Sequence, residues 1–295
     1  PLLFLRGNAT FLNQPSVAIV GSRHATPQAM RIARDFGEAL GQQGIPVVSG
    51  MAAGIDTAAH QGALQAKAAT IAVWGTGIDR IYPQSNRELA YQIAESGVIV
   101  SEFPLGTRPL AGNFPRRNRL IAALSRATLV VEAALESGSL ITARLAAEMG
   151  REVMAVPGSI DNPHSKGCHK LIKEGAKLAE CLDDILQECS QLLQKSPLLS
   201  YSINKEENSS AEAVKSQSKN KERVNQAPAV VKNVERPSEK SENSLLTVMG
   251  YDPIHPDSLT EQTGLTAVEL YEQLLELELN GAVASMPGGR YQRIK

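Results

Sequence analysis

Six short apolar runs, at 17–20, 46–48, 70–74, 97–100, 127–131 and 152–156, are separated by stretches with helical periodicity. This alternation constrains the fold more than any other feature. Each run is apolar throughout rather than at every second residue, the pattern of a strand covered on both faces. Amphipathic segments near 27–43, 55–68, 85–96, 115–125 and 139–149 fill the gaps. Strand, helix, strand at such spacings means βαβ crossovers and a doubly wound, mostly parallel sheet. In such a sheet ligands sit beyond the carboxyl ends of the strands. The loops expected there are Gly21-Ser22-Arg23, Ser49 through Gly54, Gly75-Thr76-Gly77, Ser101 through Pro104, and Glu132 through Ser139.

The 295 residues, 42% of them hydrophobic, can bury one large core and one small one. The expected division is a sheet domain at 1–195, a linker at 196–243 and a C-terminal domain at 244–295. The linker is expected to be disordered, because Ser, Asn, Lys, Glu and Gln dominate it without periodicity. Beyond it, short helices over 244–250 and 257–264 precede a longer one capped by Thr266 and ending near Asn280-Gly281. A hairpin over 282–286 and 290–294 completes a winged-helix-like module.

No apolar run approaches the roughly 20 residues that span a bilayer, so no membrane span is expected. The segment Pro1 to Asn8 lacks the layout of a signal peptide. With no initiator Met, the chain reads as starting downstream of further residues. Cys168, Cys181 and Cys189 form no CxxC pair, which points to a reducing, cytoplasmic compartment.

Lys and Arg number 30 against 31 Asp and Glu, so nucleic-acid binding would need a concentrated patch. One such patch exists. Asn113-Phe114-Pro115-Arg116-Arg117-Asn118-Arg119 places three arginines behind a proline suited to a first helical turn. Guanidinium forks at a helix N-terminus suit phosphate; the same run also reads as a solvated face paired with Glu102 and Glu132. Gly21 lets backbone approach a ligand and Arg23 can reach a phosphate, or Arg23 serves only in packing.

Ser137-Gly138-Ser139, ahead of a helix carrying Thr142, offers hydroxyls and amides to an anion, or simply caps that helix. Asp56 reads equally as a loop-fixing group or an acid. There is no GxxxxGK[ST] loop and no dinucleotide fingerprint. Asp161, His164, Cys168 and His169 fit no standard zinc spacing, so neither metal nor cofactor is expected. His60 and Trp74 read as packed residues. Aromatic residues make up only 4%, too few for an extended stacking platform. The third helix of the C-terminal module carries Glu269, Glu272, Glu276 and Glu278, a face that repels phosphate and suits protein contact.

Eight ordered blocks carry a family resemblance. They are Val20-Gly21-Ser22-Arg23, Ser49-Gly50-Met51-Ala52-Ala53-Gly54-Ile55-Asp56, the run from Gly75 to Pro83, and Ser101-Glu102-Phe103-Pro104. The runs from Phe114 to Ala122 and Ser137 to Ala143, Val156-Pro157-Gly158, and the run from Leu171 to Ala176 follow in order. On these the chain resembles the DprA/Smf family of bacterial DNA-processing proteins of natural transformation.

The resemblance implies an extended Rossmann-like fold that forms a homodimer. It also implies binding of single-stranded DNA in a basic pocket and loading of RecA recombinase onto that strand, without enzymatic activity. The candidate phosphate-binding set is Gly21, Ser22, Arg23, Gly50, Gly54, Arg116, Arg117, Asn118, Arg119, Ser137, Gly138, Ser139 and Thr142, with Arg117 the leading phosphate contact of the Arg-Asn-Arg element. Family members often carry a helical domain ahead of this one, and more often have Thr-Asn where Cys168-His169 stand. The alternative is a phosphoribohydrolase-like enzyme of similar fold using Asp56, Glu102 or Glu132, although its Pro-Gly-Gly-x-Gly-Thr loop is absent.

Overall fold

The computed structural model describes residues 2–189, 192, 242–286 and 288–294. The sheet contains β1 (Phe4–Gly7), β2 (Val17–Val20), β3 (Val47–Ser49), β4 (Thr70–Trp74), β5 (Val98–Ser101), β6 (Ala127–Val130), β7 (Glu152–Ala155) and β8 (Lys177–Leu178). Their order is β1-β5-β4-β3-β2-β6-β7-β8. β1 pairs antiparallel with β5, and the other pairings are parallel. The six expected strands are present within a residue or two. The edge strands β1 and β8 are additions to the sequence reading.

Seven helices belong to this unit: α1 (Pro27–Gln42), α2 (Ile55–Gln65), α3 (Arg87–Ser96), α4 (Asn113–Leu124), α5 (Ser139–Glu148), α6 (Lys166–Lys173) and α7 (Leu182–Glu188). Alternation along each strand sends successive side chains to opposite faces. Val17, Ile19 and Val47 pack under α1, α2 and α7, against Phe36, Leu40, Ile55, Ala59 and Ile185. Ala72, Trp74 and Ile99 pack against Leu89 and Ile93 of α3. Ala18, Val20, Val48, Ile71, Val73 and Val100 meet α4, α5 and α6 through Leu120, Ile121, Ala143 and Leu171. Both faces are covered, which is why the strands read as uninterrupted apolar runs.

The strand order reverses between β2 and β6. From β2 the chain steps outward through β3, β4 and β5, then returns to lay β6 on the other side of β2. Helices on the two sides diverge there and leave a crevice above the carboxyl ends of β2 and β6.

The C-terminal unit contains α8 (Glu242–Met249), α9 (Pro256–Thr263), α10 (Ala267–Leu279), β9 (Val283–Met286) and β10 (Arg290–Arg293). Leu245, Met249, Leu259, Leu270, Leu274, Leu277 and Val283 form its core. Thr266 and Glu269 make a reciprocal capping box on α10. Three helices and a hairpin match the winged-helix expectation. The expected linker at 196–243 lies outside the described residues except for Glu242 and Asn243, which open α8.

Candidate functional site

The crevice at the strand reversal holds a cavity of about 490 Å³. Gly21, Ser22, Arg23, Arg117, Asn118, Ser137, Gly138, Ser139 and Thr142 all line it, together with Asp56, Phe114, Glu136 and His164. Nine of the thirteen sequence candidates, scattered over 120 positions, are therefore neighbours in space. An adjoining recess of about 80 Å³ is lined by Gly50, Tyr82, Phe114 and the same two arginines.

The Gly21-Ser22-Arg23 loop leaves β2 and is pinned from two sides. Ser22 N donates to Glu132 O at 2.8 Å, and Ile55 N donates to Ser22 O at 3.2 Å. Gly54 closes under it with φ 78° and ψ −125°, a conformation that side chains disfavour. A Cβ on Gly54 would strike Ser22 O and lie 2.7 Å from Arg23 O. Gly54 thus supports the loop from beneath rather than facing the cavity.

Arg23 is exposed, and its Cζ lies 5.2 Å from the Phe114 ring centroid. It has no ion pair among the described residues. Phe114 in turn packs against Tyr82, with ring centroids 5.6 Å apart.

Arg117, the leading phosphate contact of the Arg-Asn-Arg element, lies on the cavity floor rather than at its rim. It is 3% exposed. Its Nη1 donates to the carbonyls of Gly50 and Val73, and its Nε donates to Asn118 Oδ1 at 3.1 Å. Nη2 carries no hydrogen bond among the described residues. The reason lies in α4's register, where Asn113, Arg117, Leu120 and Ile121 share the buried face. Glycine at position 50 makes room for this guanidinium, since a Cβ there would sit 2.6 Å from Arg117 Nη1.

Burial lowers the Arg117 pKa to about 10; Asp56 opposes that shift and Arg23 adds to it. The side chain therefore stays protonated at neutral pH and forms a cationic floor. Asp56 is 6% exposed and fixes the β3–α2 loop, its Oδ2 accepting from Gly50 N at 3.1 Å and Ala52 N at 3.2 Å. Burial raises its carboxyl pKa against the pull of Arg117.

Asn118 joins α4 to the opposite wall, its Nδ2 donating to Gly138 O at 3.3 Å. There α5 begins without a side-chain cap, and Ser137 Oγ and Ser139 Oγ lie 2.7 Å apart at its start. Two arginines turn elsewhere. Arg116 is exposed with its Cζ 5.8 Å from the Phe103 ring, and Arg119 pairs with Glu102. For Arg119 the solvated-face reading holds. Glu132 is engaged with Thr26 instead, accepting from its N at 3.2 Å and Oγ1 at 2.7 Å.

His60 is buried, with Nδ1 2.7 Å from Thr70 Oγ1, and burial drives its pKa down to about 3. The site residues underweighted by sequence are Phe114, Tyr82 and Asp56. In the sequence, Phe114 and Tyr82 are marked only by lying within two of the eight blocks.

A family model described as DNA recombination-mediator protein A matches residues 1–190. The chain belongs to that family. A second model, the DprA winged helix domain, matches residues 231–289. Among relatives of the family, Protein Smf of Escherichia coli is 41% identical over 298 residues, covering 99% of this chain and 71% of that protein. DNA processing protein DprA of Streptococcus pneumoniae is 48% identical over 187 residues, covering 63% of this chain and 66% of that protein.

The solved structure of DNA processing protein A from S. pneumoniae superimposes with a TM-score of 0.60 at 47% identity, covering 63% of this chain and 65% of that one. The corresponding protein from Helicobacter pylori, described for its single-stranded DNA binding mode, gives 0.59 at 31% identity and covers 64% and 86%. Membership confirms the resemblance drawn from the eight blocks, and with it a place among DNA-processing recombination mediators. No helix among the described residues is long and apolar enough to cross a membrane.

Proposed function

We propose that the cavity between β2 and β6 binds single-stranded DNA, and that the chain, as a homodimer, loads RecA recombinase onto that strand. One observation carries the binding reading: Arg23, exposed and without an ion pair among the described residues, stands over Phe114 above the buried Arg117 cation. An anion entering the cavity meets Arg23 at the rim, Arg117 Nη2 below and the Ser137 and Ser139 hydroxyls on the far wall. The aromatic pair Phe114 and Tyr82 beside it suits a splayed base.

The single-stranded DNA binding described for the H. pylori relative supports this reading. RecA loading and dimerisation rest on family membership. The contact set is Gly21, Ser22, Arg23, Arg117, Asn118, Ser137, Gly138, Ser139 and Thr142. Gly50 and Gly54 shape it from behind, whereas Arg116 and Arg119 serve the surrounding field.

A purely binding role is favoured over catalysis, because the three acids considered for an enzyme are engaged elsewhere. Asp56 holds backbone amides, Glu102 holds Arg119 and Glu132 holds Thr26. The domain limits proposed are 1–195 and 244–295, and the free cysteines suit a cytoplasmic setting.

Fluorescence anisotropy with labelled single-stranded and duplex oligonucleotides over a salt series tests the reading. Selective single-strand binding is expected, with a log–log salt slope of about −0.7 per phosphate held. Equal affinity for duplex, or no binding at low salt, rejects it.

A further inference from the structure

On the outer flank of the sheet, β1 and α3 bring two further cations onto one ring. The Cζ of Arg6 and the Cζ of Arg87 each lie 5.7 Å from the Tyr91 ring centroid, and Arg87 Nε donates to Tyr91 Oη at 3.3 Å. The two guanidinium carbons are thus no farther apart than twice that ring distance. Both arginines are exposed and the tyrosine is half-buried. Neither arginine forms an ion pair among the described residues. The acid acting on Arg87 is its neighbour Glu88, through space and without an ion pair. Ring faces attract cations, and two arginines gathered beside one ring favour an incoming polyanion.

Position links this stack to the cavity. Arg87 opens α3, and helices that follow parallel strands begin at the carboxyl rim of the sheet. It follows Tyr82 by five residues, a reach of at most roughly 18 Å of extended chain. Tyr82 is the ring packed on Phe114 at the cavity. Arg6, opposite Ile99 in the β1–β5 pair, stands on the same flank.

We propose that Arg6, Tyr91 and Arg87 form a second phosphate contact for a single strand, carrying it from the Arg23–Phe114 cavity past Tyr82 to the sheet edge. This rests on the single-strand reading of the cavity. A strand long enough to reach both points gains contacts that a short one lacks.

The test compares labelled oligothymidylates of about 6 and about 25 nucleotides, one near the short end of the roughly 4–16 nucleotides typical of small single-strand sites and one beyond it. The proteins are the full chain, its Arg6→Gln/Arg87→Gln variant and Arg23→Glu. Glutamine keeps much of the side-chain stem, and melting temperatures check the fold. The double variant should bind the short oligonucleotide like wild type and the long one about tenfold more weakly, as expected for two partly exposed charge contacts. Its long-strand salt slope should be shallower by about 1.4.

Unchanged affinity and slope on the long strand overturn the proposal. An equal loss on both lengths also overturns it and makes the stack part of the cavity's support. Failure of wild type to bind either length is a distinct result, because it removes the cavity reading itself and this extension with it.

Discussion

Replacing Gly54 with alanine tests whether the arginine loop is held from beneath. At φ 78° and ψ −125° the backbone conformation is one that side chains rarely adopt. Holding a non-glycine residue there costs about 1–3 kcal/mol. The new Cβ would also strike Ser22 O, which accepts from Ile55 N of α2, and lie 2.7 Å from Arg23 O. Overpacking of this kind adds about 1–3 kcal/mol. A total near 4 kcal/mol lowers the melting temperature by roughly 8–16 °C in a domain of this size.

Gly44→Ala isolates the backbone contribution, since Gly44 has φ 71° and nothing within 4 Å of a Cβ. Its cost is about 1–2 kcal/mol. Thermal denaturation followed by circular dichroism compares the two. Below its melting point Gly54→Ala should also bind single strands more weakly, because displacing Arg23 O moves its guanidinium off Phe114. If Gly54→Ala melts within a few degrees of Gly44→Ala, the loop does not rest on Gly54 and the account of how Arg23 is positioned fails.

Further outcomes follow from the same structure. Arg117→Met should destabilise by about 1–3 kcal/mol in urea titrations, since it removes the donor to the Gly50 and Val73 carbonyls; Arg23→Ala, at an exposed position, should leave stability nearly unchanged. His60 has a folded-state pKa of about 3, below its unfolded value of 6.5. Its stabilisation is complete above pH 6.5 and is lost as pH falls toward 3, amounting to roughly 5 kcal/mol. His60→Gln should remove that component from the stability–pH curve, and an unchanged curve would contradict the burial argument. A 1–195 fragment should retain single-strand binding, because among the described residues the three cores of the sheet domain draw on none beyond Leu192; loss of binding would move the DNA contact to the winged-helix unit.

The parallel strands were legible because burial on both faces leaves an unbroken apolar signature, as in Val17-Ala18-Ile19-Val20. β1 escaped notice because Phe4-Leu5-Arg6-Gly7 is an edge strand with three of its four residues exposed. β8 is only two residues long. α6 lies outside the helical segments expected from sequence, yet Cys168, Leu171 and Ile172 mark one helical face.

The Arg117 placement was present in the periodicity, since it falls three and four residues before Leu120 and Ile121. Adjacency to two other arginines pulled the reading toward a shared surface. The Arg119–Glu102 pair was anticipated as an alternative, whereas the stacking of Arg23 on Phe114 joins residues 91 positions apart and has no local signal. Asp56 was open between acid and loop anchor, and its two backbone amides decide for the anchor.

The most direct measurement compares Arg23→Glu with Arg116→Glu in single-strand binding at fixed salt. Both reverse one exposed charge, but Arg23 lines the cavity and Arg116 lies against Phe103 outside it. The cavity account predicts a large loss, about thirtyfold or more, for Arg23→Glu and only a few-fold, salt-screened loss for Arg116→Glu. Equal losses, or wild-type affinity in Arg23→Glu, would contradict it.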